Sequence, residues 1–419
     1  MRQYRTSPQR ESVPAYFPGG AFSRAVSSSA YAPGARLGHG SFGDVVGGVA
    51  HASGAPVALK RISAHHLSSP YKKAHTLEEA HLHARLTALR VPHVVRFLSA
   101  HVESSGDVVL AMERCSGGDL YDLAAGGPMK EEAARVVMAQ LLTALGGLHA
   151  AGILHRDVKP DNVLKRGEDD FVLCDFGVAT DTNRPDLRNG LIGTQRYSAP
   201  EVVRTHAYSR AGDMWGVGVV LFSLLGSYAP FRVDRTGNSQ FDTRELSRQI
   251  CELDVSLHFT YFPDRWAHVS AEAKALILHL LSKKPEDRPT AVDALKHAWF
   301  DGTTAEGLGL TKSAPPLPRV TTRRALRIVR KAALALGWRG LVSRRPRKGV
   351  RGGGEVSSEA QKPVVVPDSK ECGGDCLVNP LVSAEPSVRS EYATLSGGGS
   401  VMSVDGSAPS EISFATVVA

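Results

Sequence analysis

Apolar residues along the chain form short continuous runs and longer stretches with helical spacing. The runs 57–59 and 108–112 consist only of Val, Ala, Leu and Met, which is typical of buried strands. The stretches 76–89 and 131–151 carry apolar residues three and four positions apart, which predicts amphipathic helices. The pattern therefore predicts strands and one helix before residue 113 and a long helix after residue 130.

A lysine and a set of glycines stand next to the first apolar run. Lys60 closes the run 57–59, and an ammonium group is costly to bury without an acidic partner. Seventeen residues earlier, Gly43 ends the pattern Gly38-x-Gly40-x-x-Gly43. Glycine lets a backbone pass close to phosphate oxygens, and the valines after the pattern favour a strand–turn–strand hairpin over a dinucleotide-binding fold. On its own the pattern fits an ordinary turn as well as a nucleotide-binding loop.

Two acidic motifs lie in the middle of the chain. Asp157 stands in His-Arg-Asp-Val-Lys-Pro-Asp-Asn, which spans residues 155–162, and Asp175 begins Asp-Phe-Gly 18 residues later, directly after an apolar run. Transfer of a phosphoryl group from ATP needs a carboxylate that orients the attacking hydroxyl. It also needs an Asn and a second Asp that hold Mg²⁺ on the phosphates. Asp157, Asn162 and Asp175 supply these three groups.

At these motifs the chain resembles eukaryotic-type Ser/Thr protein kinases, in outline most like the Ca²⁺/calmodulin-dependent group. The resemblance covers residues 31–300. It implies an α+β, bilobal protein kinase fold with a small β-rich N-lobe (31–112), a hinge (113–118) and a larger helical C-lobe (119–300). ATP and Mg²⁺ are expected between the lobes, and the γ-phosphate is expected to pass to Ser or Thr hydroxyls of protein substrates.

The resemblance implies five catalytic residues. Asp157 is expected to act as the base, Lys159 to contact the γ-phosphate as in Ser/Thr kinases, and Thr194 to hydrogen-bond both of them. Lys60 is expected to contact the α- and β-phosphates and to pair with Glu79.

The choice of Glu79 depends on helical spacing. Glu79 has Leu82 and Leu86 at i+3 and i+7, so it lies beside the apolar face of the helix, whereas polar residues occupy those positions relative to Glu78. The distance from Glu79 to the next motif at 92–95 is about three residues longer than is usual in the family.

The expected ATP pocket is lined by the glycine loop, the first strands and the hinge. Met112 is expected to guard the back of the pocket, and the hinge backbone to bind adenine. Asp119 lies near the expected ribose but also fits the N-cap of the next helix, and the sequence leaves both interpretations open. Asn162 and Asp175 are the expected Mg²⁺ ligands. The full ATP-binding set is Leu37, Gly38, Gly40, Gly43, Val45, Ala58, Lys60, Met112, Glu113, Cys115 and Asp119.

Four residues are expected to support the site rather than to react. Glu201 and Arg288 are expected to form a buried ion pair, and Asp213 to hold the backbone of the catalytic loop. Arg156 is the residue that, in many family members, pairs with a phosphate on the activation segment, the stretch that residues 193–201 close in this chain.

The usual carrier of that phosphate is absent here. Many family members have a Thr or Ser four residues before the position of Thr194, whereas this chain has Gly190. Three alternatives remain open from the sequence. Activation is constitutive, it uses Thr180 or Thr182, or it depends on a partner.

The same resemblance bears on substrate preference and on two rival functions. Asp119 and Asp161 lie where basophilic kinases carry acids that meet an upstream Arg, so a mild preference for Arg three residues before Ser or Thr is expected. One rival is a kinase-shaped scaffold or binding module with incidental catalysis, which would not need an intact base and metal ligands. A small-molecule kinase is a second rival, but it would lack the peptide platform that residues 193–201 resemble.

Length and composition allow one two-lobed domain with tails, since 42% of the 419 residues are apolar. The sequence has no apolar run of 18 residues and no apolar segment at its N-terminus, so neither a membrane span nor a secretory signal is expected. Five scattered cysteines favour reduced thiols and an intracellular, cytoplasmic location. A basic run at 344–348 also fits a nuclear import signal.

The net charge of +8 is concentrated in one segment. Residues 307–354 hold 13 Lys and Arg and no acid, which leaves −5 for the rest, so no nucleic-acid-binding core is expected. Within the basic linker 301–354, apolar residues lie at helical spacing in 322–338. That segment fits a calmodulin-like partner target, a membrane-surface helix, an autoinhibitory helix or a solvated tail. Residues 1–30 and the acidic 355–419 are rich in Ser and Gly and are expected to be disordered.

Overall fold

The structure is a computed structural model that describes residues 30–40, 43–183, 193–234 and 237–311. Its N-terminal part contains a five-stranded antiparallel sheet. The strands are β1 (Tyr31–Gly40), β2 (Gly43–Ala50), β3 (Pro56–Ile62), β4 (Phe97–Val102) and β5 (Val108–Glu113). They pair in the order β1-β2-β3-β5-β4, so the two apolar runs predicted to be strands lie side by side as β3 and β5.

One long helix packs on this sheet. α1 (Pro70–Leu89) begins with a proline, whose missing amide is no loss in the first turn, and ends at Arg90 in the left-handed conformation. Glu79, Leu82 and His83 are buried on the inner side of the helix. The helix therefore carries an acidic side chain into the interior of the N-lobe.

The C-terminal part is mainly helical. The helices are α2 (Leu120–Ala124), α3 (Glu131–Ala150), α4 (Pro200–Thr205), α5 (Arg210–Gly226), α6 (Ser239–Glu252), α7 (Leu257–Tyr261), α8 (Pro263–Trp266), α9 (Ala271–Leu280) and α10 (Ala291–Ala294). Short 3₁₀ turns lie at His66–Ser68, Pro160–Asn162, Gln195–Tyr197, Pro285–Asp287 and Ala298–Phe300. Thirteen of the 17 residues of α5 are buried, which makes α5 the central helix of this lobe. A Cβ at Gly216 would lie 2.9 Å from Val158, so this glycine lets α5 approach the loop that contains Asp157.

Two short strand pairs hold the segments that carry the acidic motifs. β6 (Ile153–Leu154) pairs with β9 (Thr180–Asp181), and β7 (Val163–Gly167) pairs with β8 (Asp170–Leu173). Asp157 lies between β6 and β7, and Asp175 lies between β8 and β9. The predicted α+β architecture, with a β-rich N-lobe and a larger helical C-lobe, is confirmed.

One helix among the described residues is long and apolar enough to cross a membrane, judged by length and composition alone. This helix is α3, and the sequence prediction of no membrane span did not single it out. Eleven of its residues are buried against the rest of the C-lobe. We therefore interpret α3 as a core helix.

The chain continues to pack on the C-lobe after residue 300. Leu308 is buried, and Gln140 Nε2 donates to the carbonyl oxygens of Leu308 (3.0 Å) and Asp169 (2.9 Å). Gly309 has a φ of +67°, and a Cβ there would lie 2.4 Å from the Gln140 amide. The first residues of the predicted linker 301–354 therefore belong to the folded domain. The predictions for residues 1–29, 322–338 and 355–419 lie outside the described residues.

Candidate active site

The glycine loop joins β1 to β2. Gly40 and Gly43 face each other across the hairpin, and Gly38 faces Val45. Gly43 has a φ of +151°, and a Cβ there would lie 1.9 Å from the carbonyl oxygen of Arg61. Only glycine fits this position without a backbone shift. Leu37 is exposed beside the loop, and Ser41 and Phe42 at its tip lie outside the described residues.

One face of the sheet collects the predicted residues of the N-lobe pocket. Val45 is in register with Lys60, and Ala58 is in register with Met112. Because residues opposite each other share a face and alternate residues along a strand do too, these four side chains lie on one side of the sheet. Lys60 brings a positive charge to this otherwise apolar surface.

The ammonium group of Lys60 bonds two carboxylates. Its Nζ lies 2.7 Å from Glu79 Oε1 and 2.7 Å from Asp175 Oδ1. Burial disfavours the charged form of Lys60, but the two carboxylates outweigh this effect and raise its pKa. Burial raises the pKa of Glu79, and the ammonium group counters part of that rise. The structure thus joins β3, α1 and the Asp-Phe-Gly segment at a single charged group.

The pKa of Asp175 shifts in the opposite direction to that of Lys60. Burial opposes its ionisation, but Lys60 and the Gly177 N–H, which donates to Oδ1 at 3.2 Å, lower its pKa to about 2. Its φ of +59° is unusual for a residue other than glycine, and its side chain is 36% exposed. An ionised carboxylate is therefore held at the opening between the lobes.

The hinge connects β5 to α2. Glu113 N–H donates to the carbonyl oxygen of Arg96 (2.9 Å), so this amide is already used within the N-lobe. The Glu113 carboxylate bonds Arg96 Nε (2.6 Å) and Arg166 NH1 (3.2 Å), which ties the hinge to the residue before β4 and to β7. Cys115 is half-buried, and burial raises the pKa of its thiol to about 12. This thiol is accordingly a poor nucleophile at neutral pH.

Asp119 caps the helix that follows the hinge. Its carboxylate accepts the Asp122 N–H at 2.9 Å at the start of α2, so the N-cap interpretation of this residue is observed. Burial raises the pKa of Asp119, the Asp122 N–H opposes the rise, and the carboxylates of Asp122 and Asp161 add to it. The ribose contact remains a prediction.

Asp157 stands at the centre of a hydrogen-bonded group in the catalytic loop. Its Oδ1 accepts the Thr194 N–H (3.0 Å), and its Oδ2 lies 2.8 Å from Lys159 Nζ and 3.1 Å from Asn162 Nδ2. Lys159 Nζ also donates to Thr194 Oγ1 at 2.8 Å. Gly193, with a φ of +92°, precedes Thr194, and a Cβ there would lie 2.8 Å from the Arg156 carbonyl oxygen. The activation segment therefore meets the loop through glycine and threonine.

The two candidate Mg²⁺ ligands are neighbours through the backbone. Cys174 N–H donates to the Asn162 carbonyl oxygen at 2.9 Å, which places Asn162 beside the residue that precedes Asp175. Amide and carboxylate oxygens are suitable donors for Mg²⁺. Among residues 30–40, 43–183, 193–234 and 237–311, no cluster of three or more His, Cys, Asp and Glu could hold a metal ion alone. Phosphate oxygens and water would complete the coordination sphere of a bound Mg²⁺.

One buried carboxylate holds the backbone of the catalytic loop. Asp213 accepts the backbone N–H groups of His155 (3.0 Å) and Arg156 (2.8 Å) and the Nε2–H of His149 (2.8 Å). Burial opposes the ionisation of Asp213, but these donors and the nearby histidines lower its pKa. The backbone before Asp157 is therefore fixed by a negative charge at the start of α5.

A second supporting contact is an ion pair at the start of α4. Arg288 donates from NH1 to Glu201 Oε1 (2.7 Å) and from NH2 to Oε2 (2.8 Å), a two-pronged ion pair. Its guanidinium lies 5.0 Å from the ring centroid of Trp215. This pair joins α4 to α5 and to the loop before α10.

Some residues of the site were not found from the sequence. His83 on α1 packs on Phe176 with a centroid distance of 4.8 Å, and Phe176 packs on His155 at 5.3 Å. Arg85 on α1 bonds Asp181 in β9 at 2.6 Å. These contacts join residues far apart in the chain, and no periodicity or motif indicates them.

Comparison with known proteins agrees with this geometry. Residues 31–300 match the protein kinase domain family. The chain is 34% identical over 285 residues to human calcium/calmodulin-dependent protein kinase type 1B, which covers 66% of this chain and 77% of that protein. It is 31% identical over 269 residues to probable serine/threonine-protein kinase 2 of Plasmodium falciparum (isolate K1 / Thailand), covering 63% of this chain and 49% of that protein.

A rice relative, CBL-interacting protein kinase 4 of Oryza sativa subsp. japonica, is 38% identical over 280 residues, which cover 64% of this chain and 57% of the relative. The chain spans about half the length of several curated relatives, including the Plasmodium protein, and a larger share of the human one. The match to the domain family covers well over half of the chain. The chain belongs to the protein kinase family, and the sequence resemblance to eukaryotic-type Ser/Thr kinases is confirmed.

Proposed function

We propose that this chain transfers the γ-phosphate of Mg-ATP to Ser and Thr hydroxyls of protein substrates. The observation that carries the proposal is the pair of charged groups around the cleft. One group joins Lys60, Glu79 and Asp175, and the other joins Asp157, Lys159 and Thr194. A scaffold with incidental catalysis would need neither group.

The proposed reaction uses the two groups in different ways. Lys60, held by Glu79, binds and orients the α- and β-phosphates. The substrate hydroxyl is placed against the carboxylate of Asp157, its oxygen forms a bond to the γ-phosphorus, and the bond to the ADP oxygen breaks. Asp157 accepts the hydroxyl proton, and Lys159 faces the charge that spreads over the transferred phosphoryl oxygens.

The proposed cofactor fits the residues that face the cleft. Mg²⁺, when bound with ATP, neutralises charge on the phosphates. Asn162 and Asp175 would hold it, because Asp175 is ionised and Asn162 is fixed beside it by the Cys174 amide.

Replacement of the proposed base tests this assignment. We expect Asp157→Asn to lower kcat by about 10² to 10⁴, which is the usual contribution of a positioned acid or base. Mg-ATP binding, measured by isothermal titration, should stay nearly unchanged because Asp157 is not a proposed phosphate contact. Asp264→Asn, at an exposed position on α8, is the matched control. Full activity of Asp157→Asn would overturn the role, and an inactive wild type would overturn the function.

A substrate preference is a further part of the proposal. Asp161 lies close enough to Asp119 for its charge to help raise the pKa of Asp119. We propose that they meet an Arg three residues before the phosphoacceptor. Asp119→Asn removes the charge but keeps a side-chain oxygen that can accept the backbone N–H at the N-cap of α2. It should lower kcat/KM for an Arg-x-x-Ser peptide by up to about fivefold, since an exposed ion pair contributes up to about 1 kcal/mol. The matching Ala-x-x-Ser peptide should show no such change.

The basic segment 322–338 supports a proposal about regulation. Relatives of this chain are named calcium/calmodulin-dependent protein kinases, from human and from Metarhizium anisopliae. We propose that the segment contacts a calmodulin-like protein in preference to a membrane surface. An intracellular location belongs to the same proposal.

The test compares residues 1–311 with the full chain, with and without Ca²⁺ and calmodulin. The shorter chain ends at residue 311 and not at residue 300, because residues up to Leu310 pack on the C-lobe. A full chain that is silent until Ca²⁺ and calmodulin are added would support the proposal. Equal activity of both forms, unaffected by calmodulin, would contradict it, and binding of the full chain alone to anionic vesicles would favour the membrane alternative.

A further inference from the structure

A polar contact anchors the far half of α1 to the C-lobe. Arg85, six residues after Glu79, donates from NH1 to Asp181 Oδ2 at 2.6 Å and from NH2 to the carbonyl oxygen of Ala151 at 2.5 Å. The side chains are 25% exposed for Arg85 and 17% exposed for Asp181. Charge-assisted bonds in such partly shielded places are stronger than ion pairs on an open surface.

The partners of Arg85 belong to the strand pair that holds both catalytic segments. Asp181 lies in β9 opposite Ile153 in β6, and Thr182 N–H donates to the Gly152 carbonyl oxygen at 2.8 Å. β6 leads directly into the loop with Asp157, and β9 begins five residues after Asp175. Arg85 therefore connects the helix that carries Glu79 to the two strands that position the catalytic acids.

The carboxylate of Asp181 is oriented for this contact. Its Oδ1 accepts both the backbone N–H and the side-chain Nδ2–H of Asn183, each at 2.8 Å. The other oxygen, Oδ2, faces Arg85. The two oxygens of Asp181 therefore have different partners. The hydrogen bonds from Asn183 hold the carboxylate in place, and the carboxylate in turn positions Arg85.

Of the two threonines that the sequence leaves open as carriers of an activating phosphate, Thr182 is partly exposed and Thr180 is buried. Residues 184–192 contain no Ser, Thr or Tyr. Thr180 has 0% of its surface exposed, so another kinase could not reach its hydroxyl without opening β9. The guanidinium of Arg156 is engaged inside the domain, because Nε donates to the Val178 carbonyl oxygen and the group stacks 5.3 Å from the Tyr208 ring centroid.

We propose that Arg85 is a positioning residue for phosphoryl transfer. Its ion pair with Asp181 holds α1 in the place where Glu79 bonds Lys60, without a phosphate on the activation segment. The inference rests on the proposed kinase function and adds how the active arrangement is maintained. Arg85 acts through Glu79 and does not touch substrate.

A double-mutant cycle on phosphate-free protein tests the inference. Arg85→Ala and Asp181→Asn are made singly and together, and the absence of phosphate is verified by mass spectrometry. Each single variant should lower kcat by about 10-fold to 100-fold, the range expected for one charge-assisted contact. The KM for the peptide should stay the same. The double variant should lose no more than the worse single variant, because both changes remove the same contact.

Hydrogen exchange supplies a readout that does not depend on catalysis. Backbone amides of α1 should exchange faster in Arg85→Ala and in Asp181→Asn than in the wild type. Arg248→Ala, which removes an arginine from an ion pair with Glu245 on α6, is the matched control and should change neither activity nor exchange in α1. Asp181→Asn keeps the shape of the side chain and carries the test if Arg85→Ala does not fold.

The outcomes separate this inference from the proposed function. Unchanged kcat and unchanged exchange in α1, or additive losses in the double variant, would overturn the role of Arg85 and leave the kinase function intact. A wild type that is active only after phosphorylation would also overturn it. A chain that is inactive with and without phosphate would overturn the proposed function, and hydrogen exchange would still decide whether Arg85 holds α1.

Discussion

Burial acts on two basic side chains near the cleft with opposite results. Lys60 is buried but bonds two carboxylates, so it stays charged and its pKa rises. His83 is buried against Phe176 and Phe97, and its Nε2–H donates to the Val95 carbonyl oxygen at 2.7 Å. Burial lowers the pKa of His83 to about 4 despite this hydrogen bond. A neutral imidazole therefore joins α1 to the segment before β4.

His83 makes the stability of the domain dependent on pH. In the unfolded chain the pKa is about 6.5, so the unfolded state binds a proton below that value while the folded state resists until about pH 4. Its contribution to the free energy of unfolding is therefore present above pH 6.5 and is lost as the pH falls. Between pH 7 and pH 5 the loss should be about 2 kcal/mol.

His83→Leu isolates this contribution. The variant is expected to be less stable than the wild type at pH 7 by about 1 kcal/mol, because the hydrogen bond to Val95 is lost. The difference should shrink or reverse at pH 5, as measured by urea unfolding at both values. Parallel pH profiles for the two proteins would show that His83 does not titrate between the folded and unfolded states in this way.

At individual contacts, local sequence patterns predict some pairs and miss others. Helical spacing favoured Glu79 over Glu78, and Glu79 is the residue that bonds Lys60 in the structure. That choice needed only the period of one helix, and the catalytic loop needed only local motifs. Arg85 and Asp181 are 96 residues apart, and neither lies in a motif, so their contact depends on how α1 meets β9. Local pattern could not supply that information.

At the scale of elements, buried charges add to the apolar core in joining helices and loops. α4, α5 and the loop before α10 meet at Arg288, whose side chain has no exposed surface and also donates to the carbonyl oxygens of Ser282 and Ala211. Gly216 brings α5 against the catalytic loop in the same region. The apolar pattern predicted strands and one helix before residue 113 and a long helix after residue 130, whereas the fold class was implied by the resemblance to a family. These junctions were predictable only through the resemblance to a family.

Loss of the carboxylate at this junction should destabilise the C-lobe. Glu201→Ala leaves the guanidinium of Arg288 buried without its ionic partner, and we expect a loss of about 3 kcal/mol in the free energy of unfolding. Equilibrium urea unfolding measures the change. Glu252→Ala, at an exposed ion pair with Arg248, should change stability by less than about 0.5 kcal/mol. Equal effects of the two substitutions would show that the Glu201–Arg288 ion pair stabilises the fold no more than an exposed pair does.

At the scale of the whole molecule, the folded domain extends past the residues matched by the family. Leu308 is buried, and Leu310 packs against the same core. Gln140 also accepts the Phe171 N–H through its Oε1 at 2.7 Å, so one amide side chain joins α3, β8 and the segment after residue 300. The sequence could not place this contact, because Gln140 and Leu308 are 168 residues apart.

Two truncations measure the contribution of this segment. A chain of residues 1–300 should be less stable than one of residues 1–311 by about 2 kcal/mol, because it loses the burial of an apolar side chain of the size of Leu308. Thermal and urea unfolding give the difference. Gly309→Val in the longer chain should produce part of the same loss, since its Cβ would meet the Gln140 amide. A shorter chain of equal stability would show that the segment contributes nothing.

The packed residues after 300 also limit how far the next part of the chain can lie from the domain. Thr311 and the start of the basic segment at 322 are eleven residues apart, and eleven residues reach at most about 40 Å. The basic segment is therefore confined near its own catalytic domain at a local concentration on the order of millimolar. A contact between the two that is too weak to detect between separate molecules would still be largely formed within one chain. An external partner would compete with any contact of this kind, and that competition would lower its apparent affinity for the full chain below its affinity for the isolated peptide.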